Sequence, residues 1–392
     1  MNRQDPYRKT LVAAFVGYIV QATVCIFPPL LFVTFRRDYG VTLSQISLLV
    51  TLTFAIQLVG DLTMPRLIAR IGAKAGIVAA NLLALAGLVL LPVLADAFGY
   101  GGIVAAAMLY SCGASLIEVL VSPIVEACPT KNKEGVMSLL HSFFAWGCAL
   151  VIGLSTAYFA AFGIGSWKLL TMLWAIVPLA DSALFFAAPI PAMNAESGGK
   201  PVPIRRLLKN GSMLLLMAVM IAGGAAELAV SQWASAFAEA GLGVSKATGD
   251  LLGPLLFALL MGAGRLVYAL GSKRLKLERF MLFSALLCIA GYLMIGLSPL
   301  PTVSLLGCGV VGFGCAVLWP GSLSMGAKLL PWGGTTLFSL LACCGDIGCS
   351  TGPTLVGLVS DRLSENLQLG ILCGVIYPII AVAALLGLRK KQ

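Results

Sequence analysis

Long apolar stretches alternate with short polar or charged breaks along the whole chain. Twelve stretches can be marked, near 10–35, 43–64, 75–97, 102–126, 135–161, 167–190, 212–239, 248–271, 279–298, 301–327, 335–359 and 368–388. Each is about as long as the ~20 apolar residues that a helix needs to cross hydrocarbon. Backbone groups in lipid must bond within their own segment, so all twelve are predicted to be helices. Only Ser298-Pro299-Leu300-Pro301 separates the ninth stretch from the tenth. The first stretch is too long for a signal-peptide core and reads as a span.

The longest polar interruption, Pro191 to Ser212, holds Gly198-Gly199, Pro201, Pro203 and the cluster Arg205, Arg206 and Lys209. It lies almost at the midpoint. The expected organisation is a six-helix half over 1–190, a cytoplasmic linker over 191–211, and a second six-helix half over 212–392. A repeat agrees with this. Ser138-Leu139-Leu140 precedes Gly147-Cys148 at the spacing with which Ser339-Leu340-Leu341 precedes Gly348-Cys349, and each copy opens the fifth helix of its half.

Composition sharpens the class. Of the 392 residues, 59% are hydrophobic and 11% are charged. A soluble domain carries about 25% charged residues, so too few are present to cover a water-facing surface. The expectation is an all-α polytopic membrane protein lying in a lipid bilayer. The net charge of +10 would suggest nucleic acid in a soluble chain. Here the basic residues follow the breaks instead. With the N-terminus placed in the cytoplasm, 20 of the 26 basic residues fall on the cytoplasmic side. The outside holds Arg36, Arg37, Lys168, Lys246 and Arg362, and Arg265 lies within a span. The asymmetry predicts an even number of spans with both termini cytoplasmic, and no nucleic-acid partner. The 11 cysteines show no zinc-ligand spacing and read as free buried thiols. His141 is the only histidine, which excludes His-Glu-x-x-His metal chemistry. No metal or cofactor is expected.

Ionisable residues inside spans are costly and usually face a cavity or a partner. Glu118, His141, Asp181, Glu227, Arg265 and Asp346 are of this kind. Glu118 and His141 lie on successive helices, at nearly equal distances from the turn between them, so they sit at matching depth. A carboxyl in a part-dry cavity can exchange a proton near neutral pH. That makes Glu118 the candidate proton carrier and His141 its partner, the alternative being a structural pair. Glu227 and Arg265 are possible partners, offset in depth by about one helical turn. Asp346 is flanked by Gly345 and Gly348, where a ligand or another helix can approach closely. Asp181 is the weakest candidate. Gln21, Gln232, Trp233 and Trp319 could complete a solute cavity, with amides for hydroxyls and aromatic faces for a sugar ring. Trp146 reads as packing, and Trp167 and Trp332 read as interface anchors.

Twelve helices in two similar halves resemble the major facilitator superfamily. The stretch from Pro65 to Lys74 is similar to the superfamily's loop between helices 2 and 3 at Arg70, Gly72 and Lys74, with Pro65 and Ala69 in place of its glycine and aspartate. Within the superfamily the chain resembles the fucose permease-like sugar–proton symporters. The resemblance rests on Glu118 followed by Ser122-Pro123, where those proteins have Asn-Pro, and on Gly264-Arg265. It rests also on Trp319-Pro320 with the small residues after it, and on Pro353, Gly357 and Asp361. It implies that Glu118 is the proton-linked carboxylate.

The expected function is secondary transport by alternating access: proton-coupled symport of a sugar or similar small polar solute across the cell membrane, by a monomer. Glu118 and His141 would serve proton coupling. Gln21, Glu227, Gln232, Trp233, Arg265, Trp319 and Asp346 would contact solute. An alternative is an exporter or antiporter of an anionic or amphiphilic molecule with Arg265 as its counter-ion. A membrane enzyme or sensor is disfavoured by the absence of a nucleotide-binding loop or soluble domain.

Overall fold

A computed structural model describes residues 7–129, 133–191, 202–271 and 275–390. The helices are α1 (Arg8–Ile26), α2 (Phe32–Tyr39), α3 (Leu43–Ile71), α4 (Ala73–Phe98), α5 (Tyr100–Ala127), α6 (Lys133–Phe162), α7 (Trp167–Trp174) and α8 (Ile176–Ala187). They continue as α9 (Ile204–Leu208), α10 (Gly211–Ser231), α11 (Ala234–Ala236), α12 (Lys246–Asp250), α13 (Leu256–Gly271) and α14 (Leu277–Leu297). The last five are α15 (Pro301–Cys315), α16 (Leu318–Leu329), α17 (Gly334–Arg362), α18 (Leu367–Cys373) and α19 (Ile376–Arg389). Each predicted stretch is helical. Among the described residues, 11 helices or stacked helices are long and apolar enough to cross a membrane. The other predicted span is α17, which has the length at 29 residues. Asp346, Ser350, Thr351 and Thr354 dilute its apolar character.

Several spans are stacked pieces, and proline explains most of the joints. It lacks an N–H and clashes with the carbonyl four residues back. Pro28 and Pro29 end α1 in a 3-10 turn before α2 resumes. Pro178 follows the joint between α7 and α8, and Pro378 follows the one between α18 and α19. Other boundaries depend on glycine. A single residue, Gly99 at φ 56°, joins α4 to α5, in a left-handed conformation that side chains resist. Asn210 caps α10, its side-chain oxygen accepting from the amides of Ser212 at 2.9 Å and Met213 at 3.2 Å.

The chain forms two compact units, Met1–Val41 with Ala55–Ala195, and Thr42–Phe54 with Glu196–Gln392. The chain passes from one to the other within α3. Lipid tails are as apolar as leucine, so close backbone packing at small residues holds such helices together. In the first unit α4 and α5 meet at Gly87 and Gly113. A Cβ on Gly87 would stand 2.5 Å from the Tyr110 amide nitrogen. In the second unit α10 lies against α17 along Gly224, Gly345, Gly348 and Gly352, and a Cβ on Gly224 would stand 2.6 Å from the Gly345 oxygen.

Two π-helical turns, Phe237–Gly241 and Leu251–Leu255, flank the hairpin between the first two spans of the second unit. Beside them the Lys246 ammonium donates to Ser235 Oγ at 2.8 Å and to Asp250 Oδ1 at 3.0 Å. Trp167 differs from its expected role as an interface anchor. It is buried, edge-on to Phe35 at 5.8 Å and Tyr39 at 6.4 Å.

Candidate functional site

In the first unit, the half-buried Glu118 gathers partners from two other helices. Gln21 on α1 donates from Nε2 to Glu118 Oε2 at 2.8 Å, and Gln57 on α3 donates to the same oxygen. One turn along α5, Ser122 shares a 3.2 Å hydrogen bond with the Tyr18 hydroxyl of α1. Ser115, one turn the other way, donates to the Gln57 carbonyl at 3.4 Å. Polar groups therefore line one face of α5 at helical spacing inside an apolar unit. Gln21 is 5% exposed, and its Oε1 is buried without a hydrogen-bond partner among the described residues. Sequence reasoning missed Gln57. Its signal was a large amide in the middle of an apolar span.

His141 falls on α6, but its side chain lies outside the described residues. Trp146, on the same helix, is 64% exposed and stands outside the packed interior. Asp181 on α8 is fully buried, together with Asn81 on α4. Its Oδ2 is 3.4 Å from where a Cβ on Gly17 of α1 would stand.

In the second unit, Arg265 on α13 lies within electrostatic reach of Glu227 on α10. It also donates from Nε to the Ala316 carbonyl at 3.2 Å. The sequence makes that carbonyl available. Pro320, four residues on, has no N–H to give it, and the span breaks there between α15 and α16. The Arg265 guanidinium supplies the missing donor, and its Nη2 lies 3.8 Å from Met261 Sδ. Beyond the break the half-buried Trp319 lays its ring on Gly345, the residue before Asp346. Asp346 is 4% exposed. Glu227, Arg265, Trp319 and Asp346 thus belong to one connected region. Gln232 is buried at the end of α10. Trp233 is fully buried, and its indole N–H donates to the Pro353 carbonyl at 3.0 Å. That indole packs within the helix bundle of its unit.

The family model described as Major Facilitator Superfamily matches residues 10–353. The chain belongs to the major facilitator superfamily. It is therefore a multi-pass membrane transporter of small solutes and not an enzyme. No curated protein matches it significantly by sequence. Solved structures of the superfamily share its fold. A bacterial homologue of the human lysosomal transporter Spinster, inward-facing and occupied, has a TM-score of 0.80 at 13% identity, over 99% of this chain and 98% of that one. The nucleoside transporter NupG has a TM-score of 0.80 at 11% identity, over 98% and 99%. The E. coli fucose:proton symporter FucP has a TM-score of 0.66 at 16% identity, over 98% and 99%. At such identities the likeness shows the fold alone. What this superfamily member carries must be argued from its own side chains.

Proposed function

We propose that the chain is a proton-coupled symporter of a sugar or similar small polar solute, with Glu118 as the proton-linked carboxylate. The observation that carries this reading is the convergence of Gln21 and Gln57 on Glu118 Oε2. Protonating that carboxylate removes an acceptor from amides held on α1 and α3. The proton is then read by three helices at once, as a coupled carrier requires. His141 is assigned to the same proton-coupling role from the sequence. Glu227, Gln232, Trp319 and Asp346 offer solute a mixed polar and aromatic surface, with Trp233 shaping it from behind. Fold relatives that include a fucose:proton symporter and a D-xylose–proton symporter are compatible with this reading.

The arrangement fits twelve crossings, with α17 among them and both termini cytoplasmic. Transport proceeds by alternating access in a cell-membrane monomer built of two six-helix halves, 1–190 and 212–392. The counter-ion reading of Arg265 is disfavoured, because its guanidinium already serves Ala316 and lies near Glu227.

The test is proton entry into proteoliposomes holding a pH-sensitive dye, with sugars, nucleosides, amino acids and organic acids added in turn. A sugar should evoke acidification. Glu118→Gln should abolish uphill uptake of that sugar while sparing exchange. Uphill uptake retained in that variant would overturn the proposal.

A further inference from the structure

The short helix α9, in the segment read from sequence as a linker, differs on its several sides. Successive residues of a helix are turned by about 100°. Ile204 and Leu208 therefore share one edge, and Arg205 and Lys209 share the next. Arg206 lies beyond these, and Leu207 lies next to Ile204 on its other side, opposite the basic pair. Leu207 is fully buried and fixes α9 to its unit, while Ile204 is 53% exposed and Leu208 41%. Arg205, Arg206 and Lys209 are all exposed. Arg206 lies over the Trp332 ring at 4.6 Å, and that indole is itself partly exposed.

The surroundings have the same character. A Cβ on Gly387 would stand 3.2 Å from Leu215 on α10, which brings the exposed Arg389 and Lys390 to the end of the unit that carries α9. Lys328, on the turn of α16 that leads to Trp332, is exposed too. Its partner Glu278, at 3.7 Å, is the one acid at this end among the described residues. The other described acids of the unit are Glu227 and Asp346 within the spans, and Glu239, Asp250, Asp361 and Glu365 towards the opposite end.

An apolar edge beside a basic edge, next to an interfacial tryptophan, is the pattern of a helix lying in a bilayer surface. A soluble anion would need the charges but not Ile204 and Leu208. We propose that α9 and the basic end around it form a docking surface for anionic phospholipid headgroups in the adjoining leaflet. Ile204 and Leu208 enter the acyl boundary. Arg205 and Lys209 reach the phosphates, and Arg206 is held by stacking. Lipid charge thereby fixes α9 against the leaflet.

The test uses the full chain in nanodiscs of phosphatidylcholine, alone or mixed with phosphatidylglycerol, and reads hydrogen exchange of the backbone over 203–210. Each basic residue near an anionic surface is worth about a fivefold gain in partitioning. Phosphatidylglycerol should therefore slow exchange by roughly tenfold or more. Arg205→Gln with Lys209→Gln should abolish the lipid effect, and so should Ile204→Ser with Leu208→Ser, which leaves every charge in place. Equal exchange in the two lipids would overturn the proposal. Inorganic phosphate protecting α9 equally in neutral discs would also overturn it, by assigning the surface to a soluble anion. So would full protection in the serine variant.

Discussion

Arg265 and Glu227 give the sharpest stability test. Removing one member of a buried ion pair strands the other, at about 3–5 kcal/mol when burial is complete. Both side chains are half-buried, and Arg265 acts on Glu227 electrostatically without a contact ion pair between them, which reduces that to about 2 kcal/mol for Glu227→Gln. Arg265→Gln loses in addition the donor to the Ala316 carbonyl, a charged hydrogen bond worth about 1.5 kcal/mol or more. Removing both charges strands neither, so the double variant should lie close to Arg265→Gln alone, or above it. At about 2 °C per kcal/mol for a chain of this size, the single variants should melt lower by roughly 4 °C and 7 °C. The double variant should be no worse than about 7 °C lower. The assay is thermal unfolding of detergent-purified protein followed by tryptophan fluorescence. If the double variant falls by the full sum of the two shifts, the residues do not act as a pair, and the electrostatic coupling of Arg265 to Glu227 fails.

Further tests fall in the packed interior. Trp233→Phe keeps the apolar ring but leaves the Pro353 carbonyl without its indole donor, so it should cost about 1–3 kcal/mol. An unchanged melting temperature would refute that role for the indole. Gly87→Ala would drive a methyl against the Tyr110 backbone and should cost about 3 kcal/mol, read as loss of monodisperse protein in size-exclusion chromatography. Gly101→Ala, with nothing within 4 Å of the added carbon, is the matched control and should be neutral or slightly stabilising. Equal damage from the two alanines would mean that close approach of α4 and α5 is not what holds them.

The spans were legible because apolar length is a strong signal: the stretch at 75–97 became Ala73–Phe98. Joints inside spans were less so. The break at Ala316 has its cause four residues downstream in Pro320, which the sequence showed only as part of a family-like motif. The π-helical turns carried no signal at all, because one extra residue per turn leaves apolar content unchanged. At the proton site the search followed ionisable groups. It therefore found Glu118, with Gln21 noted as a nearby polar group, and passed over Gln57, which has no charge to betray it. Equal depth favoured His141 as partner of Glu118, and its side chain lies outside the described residues. The amides that reach Glu118 come from α1 and α3, helices far from it in sequence. Conversely, the depth offset between Glu227 and Arg265 counted only backbone rise and ignored the reach of a long side chain.

The glycine contacts between α10 and α17 have a mechanical consequence. Where backbone meets backbone, no flexible side chain is available to absorb sliding, so the two helices move as one rigid plate. Glu227 is mounted on one member of that plate and Asp346 on the other. Their spacing is then a constant of the machine, unchanged from one stage of a transport cycle to the next. Changes in solute affinity must come from parts that can shift against the plate. The jointed span carrying Trp319 meets the plate through side chains, Trp319 on Gly345 and Leu318 beside Gly223, and its break at Ala316 is held by Arg265, so it is built to be such a part.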